Sequence, residues 1–293
     1  MKIKRTQGEV VFGIFNAIFM VAMAFVTLYP LWHVLMASFS VPTRIMAHRG
    51  LLFWPLGYSL EAYIQVFAHP LLARSYLNTV FYVVVGTTIN LIMTFHGAYV
   101  LSRRNLYFKK HMMIMITITM FISGGLIPNY LLIVDLKLLN TPWALLLPGA
   151  IGTYNMVMMR TYFQGIPYEL EESARIDGAS DIRILYQIIL PVSTPIIAVI
   201  GLYYGVGHWN SWYNAMLYLT NRDLYPIQLV LREILIEGSM DALEDSAINS
   251  TWKAVEETLK YATIIVATVP VLCIYPFLQK YFDKGVLVGA LKG

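Results

Sequence analysis

The stretch that decides the fold lies in the second half of the chain, where residues 165–191 read GIPYELEESARIDGASDIRILYQIILP. Local rules predict two short helices joined by a tight turn. Pro167 suits the first turn of a helix, and the acidic residues after it lie where the helix dipole favours negative charge. Gly178 suits a left-handed C-cap, and Ser180 or Asp181 can cap the second helix. We therefore predict a helix–glycine–helix hairpin.

The second helix of this hairpin carries an apolar stripe of Ile182, Leu185, Ile188 and Ile189. A hairpin that is half apolar and half charged cannot bury its apolar side alone in water, so another surface must cover it. Taken alone, the hairpin leaves two interpretations equally open. It lies on the membrane surface or against the helices of its own chain, or it docks on a partner protein.

The composition places the rest of the chain in a membrane. Of 293 residues, 58% are hydrophobic and 13% are charged, whereas soluble domains carry about a quarter charged residues. This balance excludes a disordered chain and a soluble enzyme of ordinary surface composition. At about 20 apolar residues per span, the apolar content covers five or six spans. The single cysteine, Cys273, excludes an internal disulfide framework and a cysteine-based metal site.

Six stretches pass the length test for a membrane span with few or no charges. They are Val10–Phe39, Thr79–Leu101, Met112–Val134, Pro142–Met159, Pro191–Tyr213 and Tyr261–Tyr281. The fourth is short, but its start is well marked because Asn140 or Thr141 can cap a helix that begins at Pro142. The predicted fold is thus all-α, with about six transmembrane helices in a single domain over residues 1–293.

The basic residues set the orientation of these spans. With the N-terminus inside, the inner segments carry a net charge of +6 and the outer segments −2, as the positive-inside rule requires. Both termini are therefore predicted to be cytoplasmic, together with loop 160–190, and loops 40–78 and 214–260 lie outside. The positive charge is a topology signal, so no nucleic-acid partner is expected. The acidic residues of loop 214–260 belong to a solvated loop with short helices or to a docking surface for an extracytoplasmic partner.

The hairpin resembles a known family signature. Glu172-Ser173-Ala174, then three residues, Gly178, then nine residues and Ile188-x-Leu190-Pro191 are similar to the EAA motif of ABC importer permeases. Only Ser173 departs from that motif, small residue for small residue. The resemblance covers nearly the whole chain and points to the carbohydrate-type, maltose-importer-like permeases, which lie in the bacterial inner membrane.

The resemblance implies a non-catalytic transport subunit with several partners. In this family the hairpin is a coupling helix that docks on a cytoplasmic ATPase dimer, and that dimer holds ATP and magnesium. The chain itself has no G-x-x-x-x-G-K-[ST] loop, so no cofactor of its own is expected. An extracytoplasmic solute-binding protein loads the substrate. A second homologous permease completes the pore, usually as a heterodimer, although homodimers occur.

By position, the resemblance assigns Glu172 as the charged contact with the ATPase and Gly178 as the turn between the two helices. Ala174, Ile176 and Ile182 would be buried in the docked complex. The full set of implied coupling residues is Glu172, Ser173, Ala174, Ile176, Asp177, Gly178, Ile182, Leu190 and Pro191.

Aromatic and amide side chains in and near the fourth and fifth spans form a candidate substrate pathway. They are Tyr154, Asn155, Tyr204, Trp209, Asn210, Trp212, Tyr213 and Asn214. Aromatic faces and neutral hydrogen-bonding groups suit sugars, but Trp and Tyr at the end of a span also suit an interfacial aromatic belt. The resemblance favours the pathway for some of them. Gly201 and Gly205 form a G-x-x-x-G pair, which would let another helix approach closely.

The stretch His208–Leu219 resembles the branch that imports complex oligosaccharides, including uronate-rich, alginate-like ones. An acidic substrate needs basic lining, which the fifth span lacks; His96, His208 or the second permease could supply it. The alternative function is a stand-alone secondary carrier or channel. Such carriers often need a carboxylate relay, and no Asp or Glu lies deep in any predicted span.

Overall fold

The computed structural model describes the backbone of residues 6–244, 257–273 and 276, and the same side chains except those of 237–244. All regular elements in these ranges are helical, which confirms the predicted all-α class. In chain order they are α1 (Gln7–Ser38), α2 (Pro42–Ala47), α3 (Glu61–Ala68), α4 (Leu72–Ser102), α5 (Lys109–Ile118), α6 (Leu126–Asp135), α7 (Trp143–Leu146), α8 (Thr153–Gln164), α9 (Glu169–Ile176), α10 (Asp181–Ile184), α11 (Leu190–Val192), α12 (Thr194–Trp209), α13 (Tyr213–Tyr218), α14 (Ile227–Glu244) and α15 (257–273). A π-helical turn (Leu185–Ile189) joins α10 to α11, and a 3-10 turn (Arg222–Leu224) precedes α14.

Two helices are long and apolar enough to cross a membrane unaided, and they confirm the first two predicted spans. Helix α1 has 32 residues and α4 has 31, or about 47 Å each at 1.5 Å per residue. The start of α1 is fixed by a capping box, in which Thr6 N–H donates to Glu9 at 2.8 Å and Glu9 N–H donates to Thr6 at 3.3 Å.

The third predicted span, Met112–Val134, is interrupted. Helix α5 ends at Ile118 and α6 begins at Leu126, with non-helical backbone between them. The break occurs where Gly124 and Gly125 follow each other, and Gly125 has a φ of +86°, a conformation that glycine adopts readily. A hydropathy window detects the apolar length of this segment but not its break.

The fourth predicted span, Pro142–Met159, is interrupted as well, because α7 ends at Leu146 and α8 begins at Thr153. The predicted cap at its start is wrong: α7 has no side-chain cap. The Asn140 side chain instead accepts hydrogen bonds from the backbone N–H groups of Thr220 (3.1 Å) and Asn221 (2.8 Å).

The fifth predicted span, Pro191–Tyr213, contains a single straight helix only from Thr194 to Trp209. The preceding segment Asp181–Val192 meets it at 79°. Prolines on both sides of the bend favour it, since neither Pro191 nor Pro195 has an N–H to continue a helical ladder. Counting this bent pair as one span, the described residues contain three candidate spans by length and composition. The sixth predicted span is helical up to residue 273, and residues 277–281 lie outside the described ranges.

The chain contains two compact units. The first comprises the described residues of Met1–His69 and Glu233–Thr268. One apolar cluster of its described residues contains Met36, Ala37, Ile45 and Leu52, and the Leu52 N–H donates to the Tyr29 hydroxyl at 2.8 Å. The predicted single domain stays a prediction.

The second unit comprises the described residues of Pro70–Arg232 and Val269–Gly293. Its centre is the packing of α4 against α8 and α12. Buried side chains from these helices and from the hairpin form one continuous core: Phe95, Ala98, Tyr99, Leu101, Met156, Met159, Phe163, Ile184, Leu185, Ile189, Ile196, Ile200 and Tyr204. This unit therefore contains both the hairpin and all the candidate pathway residues.

The His208 ring of α12 packs tightly against α4 at Gly86. A Cβ at Gly86 would lie 2.6 Å from Cε1 of that ring. At Gly201 and Gly205 the nearest atoms would be 3.4 and 3.7 Å away, which is ordinary contact. Within the described structure the G-x-x-x-G pair is thus not what brings these two helices together. It borders a largely apolar groove of about 820 Å³ along α4 and α12.

Candidate functional site

The hairpin forms as its local chemistry predicts. Gly178 has a φ of +79°, and it ends α9 in a Schellman motif. The Ala179 N–H donates to Ala174 O at 2.9 Å, and the Gly178 N–H donates to Arg175 O at 3.0 Å. Ser180 is the N-cap of α10, since its hydroxyl accepts from the Arg183 N–H at 3.4 Å. The two helices are therefore joined by a defined turn.

The inner side of the hairpin packs on its own bundle. Ile184, Leu185 and Ile189 are buried in the core formed with α4 and α8. Ile182, the first residue of the predicted stripe, lies away from this core with a side chain that is 71% exposed. A π-helical turn follows, in which the Leu190 N–H donates to Leu185 O, five residues back.

An ion pair between Glu171 and Arg103 ties the first helix of the hairpin to the end of α4. The Glu171 side chain is only 5% exposed. The Arg103 guanidinium lies 4.2 Å from the centroid of the Tyr99 ring and donates to the Ser102 hydroxyl at 2.9 Å. The sequence analysis missed this pair. Its only local signal is that Glu171 lies one helical turn before Ala174, on the face that packs inward.

Basic side chains cap the last carbonyl groups of α4, where the helix dipole favours positive charge. Lys109 Nζ donates to Arg103 O at 2.7 Å, and Arg160 Nε donates to Leu101 O at 3.0 Å. Burial, together with the nearby charges of Arg160 and Arg103, lowers the pKa of Lys109, which precedes the third predicted span. This end of the second unit is thus strongly positive.

The outer side of the hairpin exposes apolar surface. Ile176 is 82% exposed and Ile182 is 71% exposed, one on each side of the Gly178 turn. Ala174, by contrast, packs partly buried against the chain's own core. Among the other implied coupling residues Leu190 is half-buried. The remaining five are exposed, namely Glu172, Ser173, Asp177, Gly178 and Pro191. Two isoleucines that are largely exposed form an apolar surface suited to a partner.

Polar side chains in the bundle interior hold the unwound segment between α7 and α8. Asn90 Nδ2 donates to Gly149 O at 2.5 Å, and His208 Nε2 donates to Asn90 Oδ1 at 2.6 Å. The Tyr204 hydroxyl accepts from Gly152 N–H at 2.8 Å and pairs with the Thr94 hydroxyl at 2.7 Å. Backbone without helical hydrogen bonds needs such partners at membrane depth. These bonds give Tyr204 and His208 a structural task.

The remaining candidate pathway residues differ in exposure. Trp209 is buried, with its ring 6.2 Å from that of Tyr76, and Asn155 is half-buried. The others are exposed, namely Tyr154, Asn210, Trp212, Tyr213 and Asn214. His96 bonds the Tyr186 hydroxyl at 2.9 Å.

The model of the family described as "Binding-protein-dependent transport system inner membrane component" matches residues 5–288. The chain belongs to this family. As an inner membrane component, it has the predicted location, and as a permease it is a transport component rather than a catalytic one.

Three similar proteins cover almost the whole of this family member. The polygalacturonan/rhamnogalacturonan transport system permease protein YtcP of Bacillus subtilis (strain 168) is 41% identical over 94% of this chain and 96% of its own length. Protein LplC of the same organism is 38% identical over 98% of this chain and 97% of its own length. A crystal structure of a bacterial ABC transporter involved in the import of the acidic polysaccharide alginate superposes with a TM-score of 0.85 at 30% identity, covering 96% of this chain and 100% of that chain. The predicted membership of the carbohydrate-type ABC permeases is confirmed.

Proposed function

We propose that this chain is one permease of an ATP-driven importer of acidic oligosaccharides and that it couples to a separate ATPase dimer through the hairpin. The observation that carries the coupling is the pair of exposed isoleucines, Ile176 and Ile182, on a hairpin whose other side is fixed to its own bundle. ATP and magnesium are bound by the partner, and the implied coupling residues act as a docking surface.

The two sides of the hairpin suit transmission of force. Burying an exposed isoleucine against a partner contributes about 1.5–3 kcal/mol, so the outer side offers a hydrophobic anchor. The inner side reaches α4 through the pair of Glu171 and Arg103, and it reaches α12 through the continuous helical segment Asp181–Val192. A partner that moves the hairpin therefore moves both helices.

The finer topology belongs to the same proposal. It includes six spans, cytoplasmic termini and a second homologous permease. The cytoplasmic side is supported by the basic residues Arg103, Lys109 and Arg160, which lie near the hairpin. The small residues along the groove of about 820 Å³ suit a close helix contact with that second permease. An extracytoplasmic binding protein delivers the substrate from the opposite side.

The substrate class rests on the similar proteins. YtcP carries polygalacturonan and rhamnogalacturonan in its name, and the alginate importer takes an acidic polysaccharide. Galacturonan and alginate bear carboxylates on their sugar units. We therefore assign acidic oligosaccharides as the substrate. They would move along a pathway that includes Tyr154, Trp212, Tyr213 and Asn214.

The coupling is tested on the complete importer with the variant Ile176→Asp. Because a buried carboxylate is costly, the ATPase should no longer co-purify and ATP turnover stimulated by the loaded binding protein should be lost. The matched control is Ile64→Asp in α3, an isoleucine that is 67% exposed and lies in a predicted outer loop; it should keep the ATPase. Full ATPase retention by Ile176→Asp, or solute accumulation by this chain alone without nucleotide hydrolysis, would refute the proposal.

A further inference from the structure

A cation lies beside the exposed aromatic residues that follow α12. Arg232, in α14, places its guanidinium 4.5 Å from the centroid of the Trp212 ring, and its Nη1 lies 3.4 Å from the Met216 sulfur. Trp212 and Tyr213 are 37% and 45% exposed, and their rings meet edge to face at 5.6 Å. We call Trp212, Tyr213, Asn214 and Arg232 the aromatic–arginine patch.

The charge of this patch is not balanced within the described structure. None of the carboxylates among the described side chains lies within 4.0 Å of the Arg232 guanidinium. A guanidinium has five N–H donors, and the contact with the Met216 thioether occupies one of them weakly. A partly buried cation with uncommitted donors favours an anionic partner, and the planar fork of arginine matches a carboxylate in two-pronged geometry.

The two histidines considered for an acidic substrate are already committed, and so is Arg74. His208 bonds Asn90, and His96 bonds Tyr186. Arg74 donates to Asp223 O at 3.4 Å. The lining that the fifth span lacks in sequence is thus supplied in space by α14.

The neighbours of Arg232 suit a sugar ring as well as its charge. The exposed rings of Trp212 and Tyr213 offer apolar faces to sugar C–H groups, and the exposed Asn214 amide offers a neutral donor and acceptor. A carboxylate bound to Arg232 would therefore place its pyranose ring against aromatic surface. This combination fits a uronate unit better than a neutral sugar or a free anion.

We infer that Arg232 binds the carboxylate of a uronate unit during import and so sets the preference for acidic over neutral oligosaccharides. This inference rests on the proposed function, since it assumes a permease that moves oligosaccharides. It adds a specificity-determining residue and a stated ligand chemistry.

The test uses the whole importer in vesicles, with ATPase, second permease and binding protein. Uptake of trigalacturonate and of the carboxyl-reduced, neutral trimer is compared for wild type, Arg232→Gln and Arg232→Lys. We expect Arg232→Gln to lower uptake of trigalacturonate at least tenfold and to change uptake of the neutral trimer less than twofold. Arg232→Lys keeps the charge but loses the planar fork of donors, so its uptake of trigalacturonate should lie between that of wild type and that of Arg232→Gln. Arg74→Gln is the control and should leave the acidic-to-neutral ratio unchanged.

Binding of the loaded binding protein is measured in parallel, because a docking role would also need a cation. Unchanged affinity with reduced trigalacturonate uptake supports the inference. An equal loss for both trimers, a matching loss of binding-protein affinity, or the same uptake for Arg232→Lys and Arg232→Gln overturns it. If wild type imports trigalacturonate and Arg232→Gln does too, only the inference fails; if wild type imports the neutral trimer alone, the proposed acidic substrate fails with it.

Discussion

Gly86 is the position at which one added methyl group most directly tests the packing of α4 on α12. In Gly86→Ala the new Cβ would lie 2.6 Å from Cε1 and 2.9 Å from Cδ2 of the His208 ring. The ring cannot move away freely, because its Nε2 is hydrogen-bonded to Asn90. Either the two helices separate or the histidine leaves its partner.

The expected cost follows from three terms. Overpacking a well-packed interior costs about 1–3 kcal/mol, and loss of the bond between His208 and Asn90 adds about 1 kcal/mol. Alanine in place of glycine within a helix returns about 1 kcal/mol. The net loss is thus about 1–3 kcal/mol, and the Tm should fall by roughly 2–12 °C at about 2–4 °C per kcal/mol.

The assay is thermal unfolding of the purified complex in nanodiscs, with Gly205→Ala as the matched control. The added Cβ at Gly205 would lie 3.7 Å from the Thr87 hydroxyl oxygen, so that variant should keep or slightly raise the Tm. His208→Ala removes the obstructing ring. In that background Gly86→Ala should cost nothing further, which gives a coupling free energy of at least about 1 kcal/mol. Equal Tm losses for Gly86→Ala with and without the histidine ring would refute the reasoning.

Three further predictions concern the hairpin and the connection between α6 and α7. Gly178 has open space around it but a φ of +79°, so Gly178→Ala should lower the free energy of unfolding by about 1 kcal/mol and Gly178→Asn by less. Gly178→Asp should abolish transport without preventing membrane insertion, and normal uptake by this variant would contradict the coupling role. Glu171→Gln should lower the free energy of unfolding by about 1–3 kcal/mol because it leaves Arg103 without its carboxylate. Glu172→Gln, on the exposed side, should keep the Tm and weaken ATPase co-purification; a Tm loss for Glu172→Gln and none for Glu171→Gln would be inconsistent with the geometry. Asn140 has a φ of +59° and its side chain accepts from two N–H groups, so Asn140→Gly should lower the free energy of unfolding by about 1–2 kcal/mol. Asn140→Ala should lower it by about 1 kcal/mol more, because alanine is strained at positive φ; equal Tm values for the two variants would rule out this strain.

The parts of the fold that depend on neighbouring residues were predictable from sequence. The Schellman turn at Gly178 and the cap at Ser180 follow from the conformational freedom of glycine and the short acceptor of serine. Apolar length likewise predicted α1 and α4. The same length criterion could not reveal the breaks near Gly125 or between α7 and α8, because hydropathy averages over the residues that interrupt a helix.

The contacts that make the site depend on residues far apart in the chain. Arg103 and Glu171 are 68 positions apart, and Trp212, just before α13, meets Arg232 of a different helix, α14. No local pattern pairs such residues. Asn90 in α4 likewise bonds the distant Gly149 O, between α7 and α8.

The proposed coupling requires one side of the hairpin to be fixed to its own helices and the other side to be open to a partner. Glu171 fixes it to α4, the segment Asp181–Val192 joins it to α12 through the bend, and His208 over Gly86 locks those two helices to each other. Under the proposed coupling, a displacement of Ile176 and Ile182 by a partner therefore reaches both α4 and α12 and cannot be absorbed at one of them. It follows that loosening the lock at Gly86 should raise the ATP hydrolysed per sugar imported, even though that glycine touches neither nucleotide nor sugar.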